Sequence, residues 1–173
     1  MRHLRAGAYG VCAVFVLVLV GLACWPRTWL TVRDADGLRY AFVVAQDNRF
    51  SLTWMHSVEK ENWVETFRIV NQSIVLVSTR FKTFGAGVPD QAGQTTRLAN
   101  GWVVMEAIDR VVDPLAVQAA AAEHYRMRYG DRWFALSRAH DAPILTFAVR
   151  RATVIGMWDG IVGAWRATKT GRP

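Results

Sequence analysis

The sequence predicts a mainly β fold, an antiparallel β-sandwich or barrel-like domain preceded by one apolar helical segment. Two observations carry this. From Pro26 onward, short runs rich in β-branched and aromatic residues alternate with turn signals at roughly ten-residue intervals. Before Pro26, Ala6–Trp25 is an almost unbroken apolar run behind a basic start. The chain has 173 residues, of which 52 % are hydrophobic, with 8 Trp and 8 Phe. It is therefore long enough for one domain with a real core, and its composition excludes disorder. The expected organisation is a signal or anchor segment over 1–26, a β-rich body over 27–150, and a basic, Trp-containing segment over 151–173.

In residues 6–25, a helix rising about 1.5 Å per residue has the length to span a hydrocarbon core of about 30 Å. Retention as a single anchor is the expectation, with Arg2 and Arg5 holding that end in the cytoplasm. Cleavage before Cys24, after the small–x–small Gly21-Leu22-Ala23, and lipidation at "VGLAC" are the other two export readings. The body would then face the outer side of a bacterial inner membrane. "TWLTV" leads to a turn at Asp36-Gly37, and strands follow at Leu38–Val44, Arg49–Val58, Trp63–Val70 and Ser73–Phe81. The Gly/Pro-rich "FGAGVPDQAGQ" interrupts the series, and Gly101–Val111 predicts a further strand or pair. Asp113 as N-cap and Pro114 at the first helical position predict a short helix ending near Ala122. Gly130-Asp131 predicts the two-residue turn of a hairpin, and Pro143–Arg150 the last strand. Ala152–Trp165 is apolar but only 14 residues long and contains Asp159. As a helix it places Ile155, Trp158, Val162 and Trp165 on one side, suited either to a membrane interface or to the domain's own core.

The net charge of +7 first suggests nucleic acid, but its distribution argues against that. Arg2 and Arg5 without an acid give the first segment +2, and five basic residues against Asp159 give Arg150–Pro173 +4. Between them, Cys24–Val149 holds 14 basic and 13 acidic residues, so the body is nearly neutral, whereas a nucleic-acid binder concentrates basic charge on its domain. Basic flanks beside apolar segments suit a membrane surface. Cys12 and Cys24 both lie in or beside the apolar run, which leaves the body without an internal disulfide, a thiol nucleophile or a cysteine metal site.

"LTWMHSVEKENWVETF" sets one histidine and three glutamates among aromatic residues. In a strand from Phe50 to Val58 the even positions share a face, so His56 points with Phe50, Leu52 and Trp54. On the next strand Trp63, Glu65, Phe67 and Ile69 share a face. A tight hairpin around Lys60-Glu61 would set His56 directly across from Glu65, as a polar pair that pins register. A half-buried carboxylate needs such a partner, since desolvation alone would neutralise it. Glu59 and Glu61 fall at the turn and are expected to be solvated. A ligand or partner contact by His56, Glu59 and Glu65 is the second reading, and catalysis or metal binding the third. No HExxH, GxSxG or P-loop motif is present, and no catalytic residue, metal or cofactor is assigned. The loop Phe84, Gly85, Ala86, Gly87 and Pro89 has the amides for an anion nest, or only the φ > 0 turns its glycines permit.

"SLTWMHSVEKENWVETFRI", followed after a strand by "TRFKTFGAGVPD", resembles the bacterial family described as domain of unknown function 1850. His56, Ser57, Val58, Glu59, Glu65, Phe84, Gly85, Ala86, Gly87 and Pro89 carry the resemblance. It implies an exported or membrane-anchored companion of tripartite ATP-independent periplasmic (TRAP) transporters of the TAXI type, which import organic acids. The partners so implied are a TRAP permease or its substrate-binding protein, and the charge distribution leaves nucleic acid out. It implies no catalytic residues. A stand-alone module for a small carboxylate, with Arg80 or Arg97 and the Phe84–Pro89 amides as anion receptors, is the alternative, and a metal-dependent hydrolase the more distant one.

Overall fold

The computed structural model describes residues 2–45, 48–83, 92–138 and 140–170, with side chains described from residue 12 to residue 169 outside those gaps. Helix α1 (Arg2–Cys24) leads into β1 (Arg27–Asp34), β2 (Gly37–Val43), β3 (Arg49–Met55), β4 (Asn62–Val70) and β5 (Ser73–Phe81). Then come β6 (Thr95–Ala99), β7 (Trp102–Val111), β8 (Leu115–Gln118), β9 (Arg126–Tyr129), β10 (Arg132–Ala135), β11 (Ile144–Ala152) and helix α2 (Trp158–Thr170). The fold is mainly β, as expected. Two antiparallel sheets form, one of four strands in the order β2-β1-β11-β8 and one of seven in the order β10-β9-β3-β4-β5-β7-β6, and neither closes into a barrel.

Strand parity positions the core. Phe50, Leu52, Phe67 and Ile69 point from the seven-stranded sheet toward Leu30, Val32, Phe147 and Val149 of the other, and all are buried. Phe50 stacks on Phe67 at 4.9 Å and on Phe147 at 5.8 Å, so one aromatic column ties the sheets together. A second, smaller cluster of Trp63, Phe81, Val103 and Met105 lies on the same inner face, further along.

The hairpin expected at Gly130-Asp131 forms: Tyr129 pairs with Arg132, and Gly130 has φ +56°. The helix expected from Asp113 to Ala122 does not. Leu115–Gln118 is a strand paired with Ile144–Phe147, and Ala121–Glu123 makes one 3-10 turn. Leu115 and Val117 alternate inward at period two, and pairing to the free edge of β11 overrides the helical signals.

The expected N-terminal helix forms as Arg2–Cys24, but its expected role as a span does not carry over. Among the described residues no helix is long and apolar enough to cross a membrane. Its described side chains nonetheless stand open on every side, with Leu17 70 % exposed. Helix α2 packs on β2: Gly160 and Gly163 bring its backbone against Ala41 and Arg39, and Ala164 and Ala167 reach the core. Trp158 and Trp165 face outward. The start of this segment also meets the end of α1, where Val154 N–H donates to Ala23 O at 3.1 Å.

Candidate functional site

The β3–β4 connection is a six-residue loop, His56–Glu61, closing after the pair Met55–Asn62. His56 N–H donates to Glu61 O at 2.8 Å and Lys60 N–H to His56 O at 3.0 Å, with Lys60 at φ +56°. Glu59 N–H donates to His56 Nδ1 at 3.3 Å, so the neutral ring carries its proton on Nε2. The expected pairing of His56 with Glu65 is therefore wrong. Glu65 lies opposite Leu52 on β3 and Thr79 on β5. The real loop is longer than the two or four residues expected, because His56 spends its backbone and ring on the loop itself. All three lengths are even, so the faces are unchanged while the register moves by four residues.

His56 instead stacks on Trp63, centroid to centroid 5.4 Å. Trp63 stacks on Trp54 at 5.7 Å, Trp54 on Tyr125 at 5.2 Å, and Trp63 also meets Phe81 at 5.0 Å. These rings form a ladder across the end of the sheet. Glu59 and Glu61 are half-buried rather than solvated, and Glu61 Oε2 accepts from Thr83 Oγ1 at 3.2 Å. His56, Glu59, Glu61, Lys82 and Thr83 border a dimple of only about 10 Å³, room for a water at most. Phe84, Gly85, Ala86, Gly87 and Pro89 lie outside the described residues, so the anion nest expected there has no structural account. Among the described residues no group of three His, Cys, Asp or Glu side chains stands close enough to hold a metal ion.

Glu65 stands on the inner face between the two apolar clusters, beside a cavity of about 290 Å³ shared with Trp63, Thr79, Ile108 and Arg110. Burial holds its carboxyl above the usual carboxylate range, and the Arg110 guanidinium offsets this in part. Trp63 Nε1–H donates to Thr79 Oγ1 at 2.7 Å and separates this chamber from the His56 loop. Arg110 was not anticipated, for a reason visible in β7. Glu106 points to the outer face, and simple alternation would send Arg110 the same way. Ala107 at φ +54°, Asp109 at φ +48° and a register shift at Leu76/Ser78 set Arg110 opposite inward-facing Leu76 instead.

Arg80 and Arg97 are on the other side of the same sheet. They come together in an outer groove of about 550 Å³, back to back with the Glu65 chamber. Arg80 lies over the Trp102 ring at 4.9 Å, and Arg97 is bidentate on Glu106 at 3.0 and 3.1 Å. Glu65 and the arginine candidates Arg80 and Arg97 thus occupy opposite faces of one sheet.

Fold and site define a two-sheet β module whose polar groups gather on the seven-stranded sheet. The family model described as domain of unknown function (DUF1850) matches residues 50–136, which run from β3 to just past β10. The chain belongs to that family, and the matched segment holds the seven-stranded sheet almost entire, while β1, β2, β11 and both helices lie outside it. No curated protein and no solved structure matches the chain.

Proposed function

We propose that the chain is a membrane-attached, extracytoplasmic accessory subunit of a TAXI-type TRAP importer of organic acids. The observation that carries this is α1. From Val14 to Leu22 its large apolar side chains are exposed around the whole helix, a surface the β domain does not cover and that suits lipid or a membrane-embedded partner. The transporter enters only through the sequence resemblance, since the His56–Glu65 and Phe84–Pro89 motifs resemble those of transporter companions. The nearly neutral body, flanked by basic segments, fits a role at a membrane surface. In this reading the His56 loop and its aromatic ladder form the rigid end of the sheet offered to the permease or its binding protein.

The test is a mild-detergent pull-down of the tagged full-length chain from its native membrane, with the co-purifying proteins identified. Recovery of a TAXI-type permease or binding protein, lost in His56→Ala, is the expected result. Recovery of the chain alone, at full yield and folded, refutes the accessory role.

A further inference from the structure

The outer groove is built differently from an ordinary solvated sheet face. Register aligns Arg128, Ser51, Thr66, Ser78 and Glu106 in one row across β9, β3, β4, β5 and β7. The next row runs Arg126, Thr53, Val64, Arg80, Val104 and Arg97, ending on β6. Hydroxyls therefore occupy the centre and guanidinium groups both flanks, and the groove's lining carries three arginines against one glutamate. Trp102 and Trp133 stand at the sides, under Arg80 and Arg126 respectively.

Thr53 supplies a second, independent observation. It is 5 % exposed, it lines the groove, and its Oγ1 is covered with no hydrogen-bond partner. Arg126, its cross-strand neighbour, has a covered Nε in the same condition. A buried hydroxyl or N–H left without a partner costs about 1–3 kcal/mol, so two side by side in a folded domain call for an explanation. Ser51 and Thr66 share only one 3.3 Å contact between them, leaving further donor and acceptor capacity in the central strip.

We propose that this groove binds a small hydroxylated carboxylate, a hydroxy acid or sugar acid. The carboxylate would lie on Arg80, or on the remaining Nη edge of Arg128, whose Nε donates to Gly130 O at 3.1 Å and whose Nη2 stands 3.5 Å from Asp131 Oδ1. The ligand's hydroxyls would meet Ser51, Thr66 and Ser78, and a small movement of Arg126 from Trp133 would open Thr53 Oγ1 to it. The Trp faces pack against the carbon chain. The site lies within the family segment and requires nothing of α1, so it goes beyond the accessory role and neither needs the other.

Calorimetric titration of the full-length chain in detergent with gluconate, glucuronate, tartrate and malate tests this, with glucose and inorganic phosphate alongside. At least one acid is expected to bind saturably with a Kd of about 1 mM or tighter, and Arg80→Ala or Arg128→Ala to weaken it about tenfold. Thr53→Val gives the sharper readout: weaker binding, with the ligand-free melting temperature unchanged or higher. Absence of binding by every acid to chain shown folded by circular dichroism overturns the site. So does phosphate binding as tightly as the acids with Thr53→Val silent, which describes a patch of positive charge only. Either failure leaves the pull-down result untouched, and so does not bear on the accessory role.

Discussion

Replacing Gly163 by alanine tests how α2 is held. In a free or exposed helix this substitution stabilises by about 1 kcal/mol, because glycine is a poor helix former. Here an added Cβ would meet Arg39 O at 2.1 Å, against the 3.4 Å at which ordinary contact begins. The helix must therefore move out from β2 by about 1.3 Å, and a carbonyl in a strand cannot yield as the end of a flexible side chain can. Such a movement draws Ala164 and Ala167 off the core and weakens the packing on Tyr40. Overpacking of this kind costs about 1–3 kcal/mol. At about 2–4 °C per kcal/mol for a chain of this size, the melting temperature should fall by roughly 2–12 °C. Thermal unfolding followed by circular dichroism, with the full chain in detergent, measures it. A rise in melting temperature would refute the docking of α2 on β2, because only an undocked helix gains from the alanine.

Three further outcomes follow from the inner face and its rim. Glu65→Gln should raise stability at about pH 7.5 and lose that advantage toward about pH 4 in paired melts, since a carboxyl held above its ordinary 4.5 contributes stability that is fully present below that value and is lost as pH rises through the raised one. Equal melts of the two proteins at both pH values would contradict the burial of Glu65. Trp63→Phe keeps the aromatic ladder but leaves buried Thr79 Oγ1 without its donor, at a cost of about 1–3 kcal/mol in denaturant unfolding. Adding Thr79→Val should recover part of that loss, and strict additivity would show that the bond contributes nothing. Arg138→Ala leaves Asp34 Oδ2 without its partner while Oδ1 keeps the Asp36 N–H, and because that side chain is only 5 % exposed the change should cost about 1–3 kcal/mol, whereas a change within about 0.5 kcal/mol would place the pair among ordinary surface ion pairs.

Much of the fold was legible because alternation and turn chemistry agree along most of the chain. Ser73–Phe81 has the predicted limits, and the even positions of β3 face the core as parity requires. The β6–β7 hairpin was overlooked although its signal was present: Asn100-Gly101, at φ +51° and +76°, is a two-residue turn of the strongest type. At the Asp113–Ala122 segment a real local helix signal lost to a strand edge in need of a partner, which no local pattern reveals. For the site, parity gave the faces but not the register, since loops of two, four and six residues preserve the same alternation. Arg110 and the hydroxyl row needed the irregularities of β5 and β7, and these shift pairing without any glycine or proline to mark them.

In the proposed accessory role, α1 attaches this domain to the membrane beside a TAXI-type permease. A photo-crosslinking residue in place of Leu17, on the exposed surface of α1, tests it most directly in intact cells. The chain is expected to fractionate with the membrane, and illumination to yield an adduct containing a permease subunit. A chain recovered wholly in the soluble fraction, or a membrane-bound chain crosslinked only to copies of itself, would contradict it.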